Sequence, residues 1–333
     1  MNEISNVLVT VPFPEEQMKK LEQAFAPAKV WILSNKDTEG ISKALEHAEV
    51  AILNGDLNDQ ILREGQKLRW IHCDHSGLTY SARQEIFDRG LAVTGAAGRS
   101  APTLAEHAIM FMLSLTYALP ELFELQKKHQ WGGLPGYNDR RGLIEKTAGI
   151  IGVGHAGSEL ARRLKAFGMN VIGYRRRAQD VEGVDRMYSK DSGDTIAPLL
   201  QQSDYLILMT RLNDETYHMI GREELRQMKP GAYLINMCRG SVIDEAALRE
   251  ALETDVIQGA GVDTTEVEPL PADSLLWDVP HLIITPHNTP TVPDRWARSL
   301  QIVLENLELY REGKTLQNQL TQEDLFSRKR PTA

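Results

Sequence analysis

The stretch TAGIIGVGHAGSELARRLKAFGMNVIGYRRR, Thr147 to Arg177, decides the fold. An apolar run ends at Val153, and a turn passes through Gly152, Gly154 and Gly157. An amphipathic pattern continues to about Phe167, and a second apolar run follows from Asn170 to Tyr174. This order predicts strand, turn, helix and strand in one unit. Each glycine has a physical reason to be there. The first permits a tight bend, the second lets backbone approach a pyrophosphate, and the third lets the helix pack close to the strand. The N–H groups of the first helical turn, at His155 and Ala156, would face the phosphates, helped by the positive end of the helix dipole. A dinucleotide site is therefore expected, and a glycine turn without a ligand is the plainer alternative.

The residues after the second strand choose the dinucleotide. NAD-selective sites place an acidic residue there, about 20 residues beyond the glycines, to accept hydrogen bonds from ribose hydroxyls. Arg175 stands at that place, eighteen residues after Gly157, with Arg176 and Arg177 behind it. Guanidinium groups make bidentate, charge-assisted bonds to a 2′-phosphate, which a carboxylate would repel. NADP is the expected cofactor and NAD the second choice; a solvated turn of arginines is the alternative.

Outward from this unit, the composition is that of a globular chain: 333 residues, 42% hydrophobic and 25% charged. A formal net charge of −9 disfavours a nucleic-acid partner. The two cysteines, Cys73 and Cys238, have no metal-ligand spacing, so a reducing, cytoplasmic setting without disulfides is expected. The opening MNEISNVLVTVPFP reads as a first strand and not as a signal peptide. The longest apolar helix pattern contains Glu106 and His107 and is too short for a membrane span.

Before the central stretch, short apolar runs at Val7 to Val11, Val30 to Leu33, Val50 to Asn54, Leu68 to Cys73 and Leu91 to Thr94 alternate with helical patterns such as Glu15 to Phe25 and Ile41 to His47. Strands separated by helices pair in parallel through right-handed crossovers. A long helical pattern from Pro102 to about Gln130 follows, which Pro120 should kink or divide. Trp131 to Arg141 reads as a loop. Further strands are expected at Tyr205 to Met209, Tyr233 to Met237, Ile257 to Asp263 and His281 to Thr285, and helices at Thr216 to Met228, Glu245 to Glu253 and Val292 to Tyr310. The basic end, SRKRPTA, is expected to be disordered. The fold class is thus α/β with two doubly wound parallel-sheet domains. A Rossmann-type dinucleotide domain, 102–287, is inserted into a flavodoxin-like substrate domain made of 1–101 and 288–333.

Ligands of such sheets bind at the carboxyl ends of strands. Arg239 follows YLINMC, Asp263 and Glu268 follow GAGV, and His287 follows LIITP. Reduction of a keto acid needs a fixed cation for the carboxylate, a proton donor for the carbonyl oxygen, and a group that keeps that donor protonated. Arginine, histidine and a carboxylate supply these in turn. Arg239, His287 and Glu268 fit the three roles. Taken alone, His287 could be a structural histidine, and Asp263 could cap a turn.

These residues resemble the D-isomer-specific 2-hydroxyacid dehydrogenases over nearly the whole chain. The resemblance rests on TLAEHAIMFML, KTAGIIGVGHAG, ARRLKAFGMNVIGY, MKPGAYLINMCRGSVIDEAAL, GAGVDTTEVEPLP and ITPHNTP. It implies that Arg239 binds the substrate carboxyl and carbonyl, that Glu268 pairs with His287, and that His287 is the general acid/base. It also implies that Asp263 holds the nicotinamide carboxamide, with Cys238 beside the cofactor. Backbone amides at Ser76 and Gly77 would grip the carboxylate, and a homodimer would form partly through the helix after Pro102. Two departures bear on the cofactor. Arg175 replaces the usual aspartate, and Thr210 and Arg211 replace an apolar proline-leucine pair, which adds candidate contacts to an extra phosphate. The cluster His72, Asp74 and His75 favours a hydrophilic 2-keto acid such as glyoxylate or hydroxypyruvate, although plain surface residues would look the same. A formate-type dehydrogenase is disfavoured by Glu268. A nucleotide-sensing binding protein or corepressor on the same fold is the alternative from another class.

Overall fold

The computed structural model describes residues 3–328, so most of the basic end lies outside it. Two compact units account for the described chain: 3–100 with 291–328, and 101–290.

The first unit is a five-stranded parallel sheet of β1 (Asn6–Val9), β2 (Lys29–Ile32), β3 (Val50–Leu53), β4 (Trp70–Cys73) and β5 (Ala92–Gly95), in the order β2-β1-β3-β4-β5. β3 and β4 are buried along their whole length, which is why both read as continuous runs and not as alternation. On one face Trp70 stacks between Phe25 and Tyr310, under the helices Glu15–Phe25 and Arg295–Arg311. The other face carries Leu8, Ala51 and Ile71 against Ile41, Leu45, Ile61 and Ile86.

The second unit has seven parallel strands: β6 (Thr147–Ile151), β7 (Asn170–Arg175), β8 (Arg186–Ser189), β9 (Tyr205–Leu208), β10 (Tyr233–Asn236), β11 (Gly259–Val262) and β12 (Leu282–Ile284). Their order is β12-β11-β10-β9-β6-β7-β8. β8 was not legible as a strand, because Arg-Met-Tyr-Ser on a sheet edge needs no apolar run. The long helical pattern divides into Ala101–Thr116 and Leu119–Lys127, bent by 62°. The break falls at Ala118, whose φ is 49°, and Pro120 sits in the first turn of the second helix, where its missing N–H costs nothing. The helix expected from Thr216 shrinks to Arg222–Gln227. Its first part is a turn closed by side chains, with the Thr216 amide donating to Asn213 Oδ1 at 2.9 Å. Among the described residues no single helix is long and apolar enough to cross a membrane.

Candidate active site

The strand order of the second unit reverses between β6 and β9, and open parallel sheets bind ligands at such a switch point. The glycine turn after β6 and Thr210 after β9 flank it. Gly152 has φ 102°, and a Cβ there would fall 2.5 Å from the Thr210 nitrogen. A Cβ on Gly157 would fall 2.5 Å from the Gly152 carbonyl oxygen, so the helix His155–Ala166 rests directly on the turn. A Cβ on Gly154 would meet nothing within 4 Å. Two glycines shape the turn, and the third leaves open ground before the first helical residues, exposed His155 and half-buried Ala156. A pyrophosphate needs that arrangement of backbone and space, so these residues fit a nicotinamide dinucleotide. Leu160 and Leu164 fix the helix from below, each contributing about 1.5–3 kcal/mol by burial.

Arg175 closes β7, half-buried, opposite Ser189 of β8, and has no carboxylate partner among the described residues. Arg176 is half-buried and its carbonyl accepts the Asp191 amide at 3.0 Å; Arg177 is exposed. The carbonyl of Arg211 accepts the Thr216 hydroxyl at 2.7 Å. Cys238 is buried, and its thiol donates to Asn236 Oδ1 at 3.0 Å. Burial pushes its pKa up to about 11, which suits packing and not nucleophilic chemistry.

Arg239, Asp263 and His287 come from the carboxyl ends of β10, β11 and β12. His287 Nδ1 lies 2.8 Å from Glu268 Oε2, and the Thr265 amide donates to Glu268 Oε1 at 3.1 Å. The loop carrying Glu268 is pressed onto the arginine's turn, since a Cβ on Gly240 would fall 2.0 Å from the Thr265 carbonyl carbon. Glu245 Oε1 holds the same loop through the Glu266 amide at 2.5 Å. Burial opposes ionisation of Glu268. The hydrogen bond and charge of His287, the Thr265 amide and the charge of Arg239 outweigh it and hold the carboxyl below the usual range. Arg239 Nη1 donates to the Cys238 carbonyl at 2.7 Å, and its other N–H groups meet no acceptor among the described residues. One imidazole, one carboxylate and one guanidinium are thus gathered within a single unit, able to bind a planar anion and to exchange a proton beside it.

Asp263 has internal partners that its place in the sequence does not reveal. Its Oδ1 accepts the Thr285 hydroxyl at 2.5 Å and the Asn288 amide at 3.1 Å, and its Oδ2 lies 3.3 Å from the Thr289 hydroxyl. His107, buried in the helix Ala101–Thr116, contacts both threonines. In the sequence this histidine is inconspicuous. The available signal was a titratable side chain in the apolar phase of a helix, four residues before Phe111, on whose ring it stacks at 4.9 Å.

Ser76 and Gly77 lie in the first unit, half-buried just after β4. Their polar neighbours require a correction. His72 and Asp74 are interior residues, not groups offered to a hydrophilic substrate. The Asp74 carboxylate is 1% exposed, with Arg99 Nη1 at 2.9 Å and Arg295 Nη2 at 3.8 Å from Oδ2. Burial, with His75 and Arg99 adding to it, pushes the His72 pKa down to about 3. Of the three, only His75 keeps partial exposure, 3.4 Å from Asp56. The reason differs for the two: His72 lies on β4 between β3 and β5, whereas Asp74, just past its end, is covered by Arg99 and Arg295.

Residues 109–289 match the family model described as D-isomer specific 2-hydroxyacid dehydrogenase, NAD binding domain. The chain is 31% identical to a glyoxylate reductase of Korarchaeum cryptofilum, over 95% of this chain and 96% of that one. It is 32% identical to a glyoxylate/hydroxypyruvate reductase B of Pectobacterium carotovorum, over 85% and 87%. Among solved structures, a D-isomer specific 2-hydroxyacid dehydrogenase family protein from Aeromonas salmonicida matches with a TM-score of 0.76 at 29% identity, covering 96% of this chain and 99% of that one.

Proposed function

Because the chain belongs to the D-isomer specific 2-hydroxyacid dehydrogenase family, we propose that it reduces a small 2-keto acid of the glyoxylate or hydroxypyruvate type to the D-2-hydroxy acid, with NADPH as the preferred reductant. The observation that carries this reading is the His287–Glu268 pair at 2.8 Å, with Arg239 close enough for its charge to favour the ionised Glu268. When bound, a reduced nicotinamide supplies hydride to the carbonyl carbon. Arg239 holds the substrate carboxylate and carbonyl through its uncommitted N–H groups, because guanidinium grips planar anions at two points. His287 donates Nδ1–H to Glu268, which leaves the Nε2 proton for the carbonyl oxygen. Glu268 orients the ring and offsets the positive charge of the imidazolium.

The preference for NADPH is supported by Arg175, which ends β7 without a carboxylate partner among the described residues. Arg176, Thr210 and Arg211 follow the two strands that flank β6 and supply further donors. A homodimer is supported by exposed apolar side chains at Met110, Tyr117, Leu119, Phe123 and Trp131 along the divided helix and the loop after it. Two free, buried thiols, Cys73 and Cys238, suit the reducing setting of the cytoplasm.

The test is a set of initial rates with glyoxylate, hydroxypyruvate and pyruvate, each with NADPH and with NADH, followed by chiral analysis of the product. Turnover of one of the first two, with a D product and a higher kcat/KM for NADPH, is expected. Tight cofactor binding with no turnover of any 2-keto acid would favour a nucleotide-sensing role.

A further inference from the structure

The turn that carries His287 is held in an unfavourable backbone conformation. His287 has φ 51°, in the left-handed region that a residue with a Cβ seldom adopts. Its amide donates to the Asp263 carbonyl at 2.8 Å and the Thr285 carbonyl at 3.0 Å, and the next amide, of Asn288, donates to Asp263 Oδ1. Asp263 therefore clamps the turn with both its main chain and its side chain. The orientation of that side chain depends in turn on Thr285, Thr289 and His107.

The proton positions in this network follow from counting donors. A carboxylate has no proton to give, so the Thr285 hydroxyl donates to Asp263 Oδ1. The Thr285 oxygen is then left to accept, and its other neighbour is His107 Nε2 at 3.1 Å, which must carry a proton. Burial lowers the His107 pKa, and the nearby Asp263 only partly opposes this, so the ring is neutral and Nδ1 is bare. Nδ1 accepts the Thr289 hydroxyl at 2.9 Å in preference to the longer 3.3 Å contact of that hydroxyl with Asp263 Oδ2. The outcome is a carboxylate with one oxygen committed to the turn and the other with acceptor capacity to spare.

We infer that His107 is a positioning residue for the general-acid turn: as the Nε2-protonated neutral ring it aims the Thr285 hydroxyl at Asp263 and withdraws the Thr289 hydroxyl from it. Asp263 is thereby locked where it holds His287 and Asn288, and Oδ2 keeps its capacity for an N–H donor of a bound ligand. The polar contacts of His107 are with Thr285, Thr289 and Asp263, so it acts on the turn through them. The inference rests on the reductase reading for its kinetic consequence and on the hydrogen-bond network for its effect on the turn.

His107→Phe keeps the ring stacked on Phe111 and removes both nitrogens. His107→Gln returns an N–H near the position of Nε2, whereas Thr285→Val removes the hydroxyl at constant shape. For His107→Phe and for Thr285→Val, kcat should fall about 10- to 100-fold, the scale of a misplacement of ~1 Å, while the KM for the keto acid changes less than threefold. The double variant should be no worse than either single one, and His107→Gln should recover kcat to within about threefold of the wild type. In the protein without ligands, exchange of the Asn288 amide should quicken at least tenfold in His107→Phe, with exchange along β6 and β9 unchanged. An unaltered kcat in Thr285→Val, losses that multiply in the double variant, or unchanged Asn288 exchange would overturn the inference. A wild type that turns over no 2-keto acid would overturn the reductase reading instead, and the exchange measurement would still decide the role of His107.

Discussion

Gly154→Ala should separate folding from cofactor binding, because the three turn glycines are constrained by different things. A methyl at Gly154 meets nothing within 4 Å, and the backbone there is extended, at φ −99° and ψ −150°, which alanine tolerates. Alanine at a compatible site restricts the unfolded chain and adds about 0.4–1 kcal/mol of stability. For a unit of this size that raises Tm by about 1–4 °C. The same methyl occupies the ground over which phosphates approach the amides of His155 and Ala156. Loss of one charge-assisted hydrogen bond, ~1.5–3 kcal/mol, weakens NADPH binding about 10- to 150-fold. Gly157→Ala differs, because its Cβ would lie 2.5 Å from the Gly152 carbonyl oxygen, well inside the ordinary contact distance of 3.4 Å. The turn would have to open, at roughly 1–3 kcal/mol, and Tm would fall by several degrees. Calorimetric melting of the two ligand-free variants and fluorescence titration with NADPH give both numbers. Wild-type NADPH affinity in Gly154→Ala, or a melting temperature below that of Gly157→Ala, would refute the assignment of Gly154 to the phosphates.

Arg175→Asp should lower the NADPH-to-NADH ratio of kcat/KM by about 10- to 100-fold, the worth of one or two charge-assisted bonds to a 2′-phosphate; steady-state rates with both cofactors check it, and an unchanged ratio counts against a role for Arg175. His287→Ala should cut kcat by about 10²- to 10⁴-fold while the NADPH dissociation constant stays within threefold; equal loss of both would mean that the histidine is structural. Glu268 is held below the usual carboxylate range, so its pairing stabilises the fold above the unfolded value of about 4.3 and is lost as pH falls through the lower folded value. Glu268→Gln should therefore melt below the wild type at pH 7, with the gap closing as the pH falls below about 4; a gap that widened in acid would contradict the pairing. Asp74→Asn should destabilise the first unit by about 3 kcal/mol, because it leaves Arg99 and Arg295 without their shared carboxylate; chemical denaturation measures this, and a neutral result would mean that solvent already balances the arginines.

What was legible in the chain was local or set by strand direction. The glycine turn could be read because strand, bend and helix are contiguous from Thr147 to Ala166. The His287–Glu268 pair, 19 residues apart, could be inferred because parallel strands bring all their carboxyl ends to one edge. Polar residues just past the apolar runs of adjoining strands, here β10, β11 and β12, become neighbours. The same rule misled at Asp74, which also follows a strand but is enclosed with Arg99 and Arg295, and nothing in the segment from Trp70 to Gly77 announces arginines so far along the chain. His107 is the harder case. It sits 178 residues before Thr285, in a helix whose apolar density hides it, and its meaning depends on which hydroxyl gives its proton to which acceptor. Side-chain periodicity records only whether a position faces inward. It carries no information on hydrogen-bond direction, which is fixed by the carboxylate of Asp263 and by the single proton on each threonine. The residues that perform the proposed proton transfer were therefore readable from topology, whereas those that hold them at a left-handed turn became readable only once every buried donor had been assigned its acceptor.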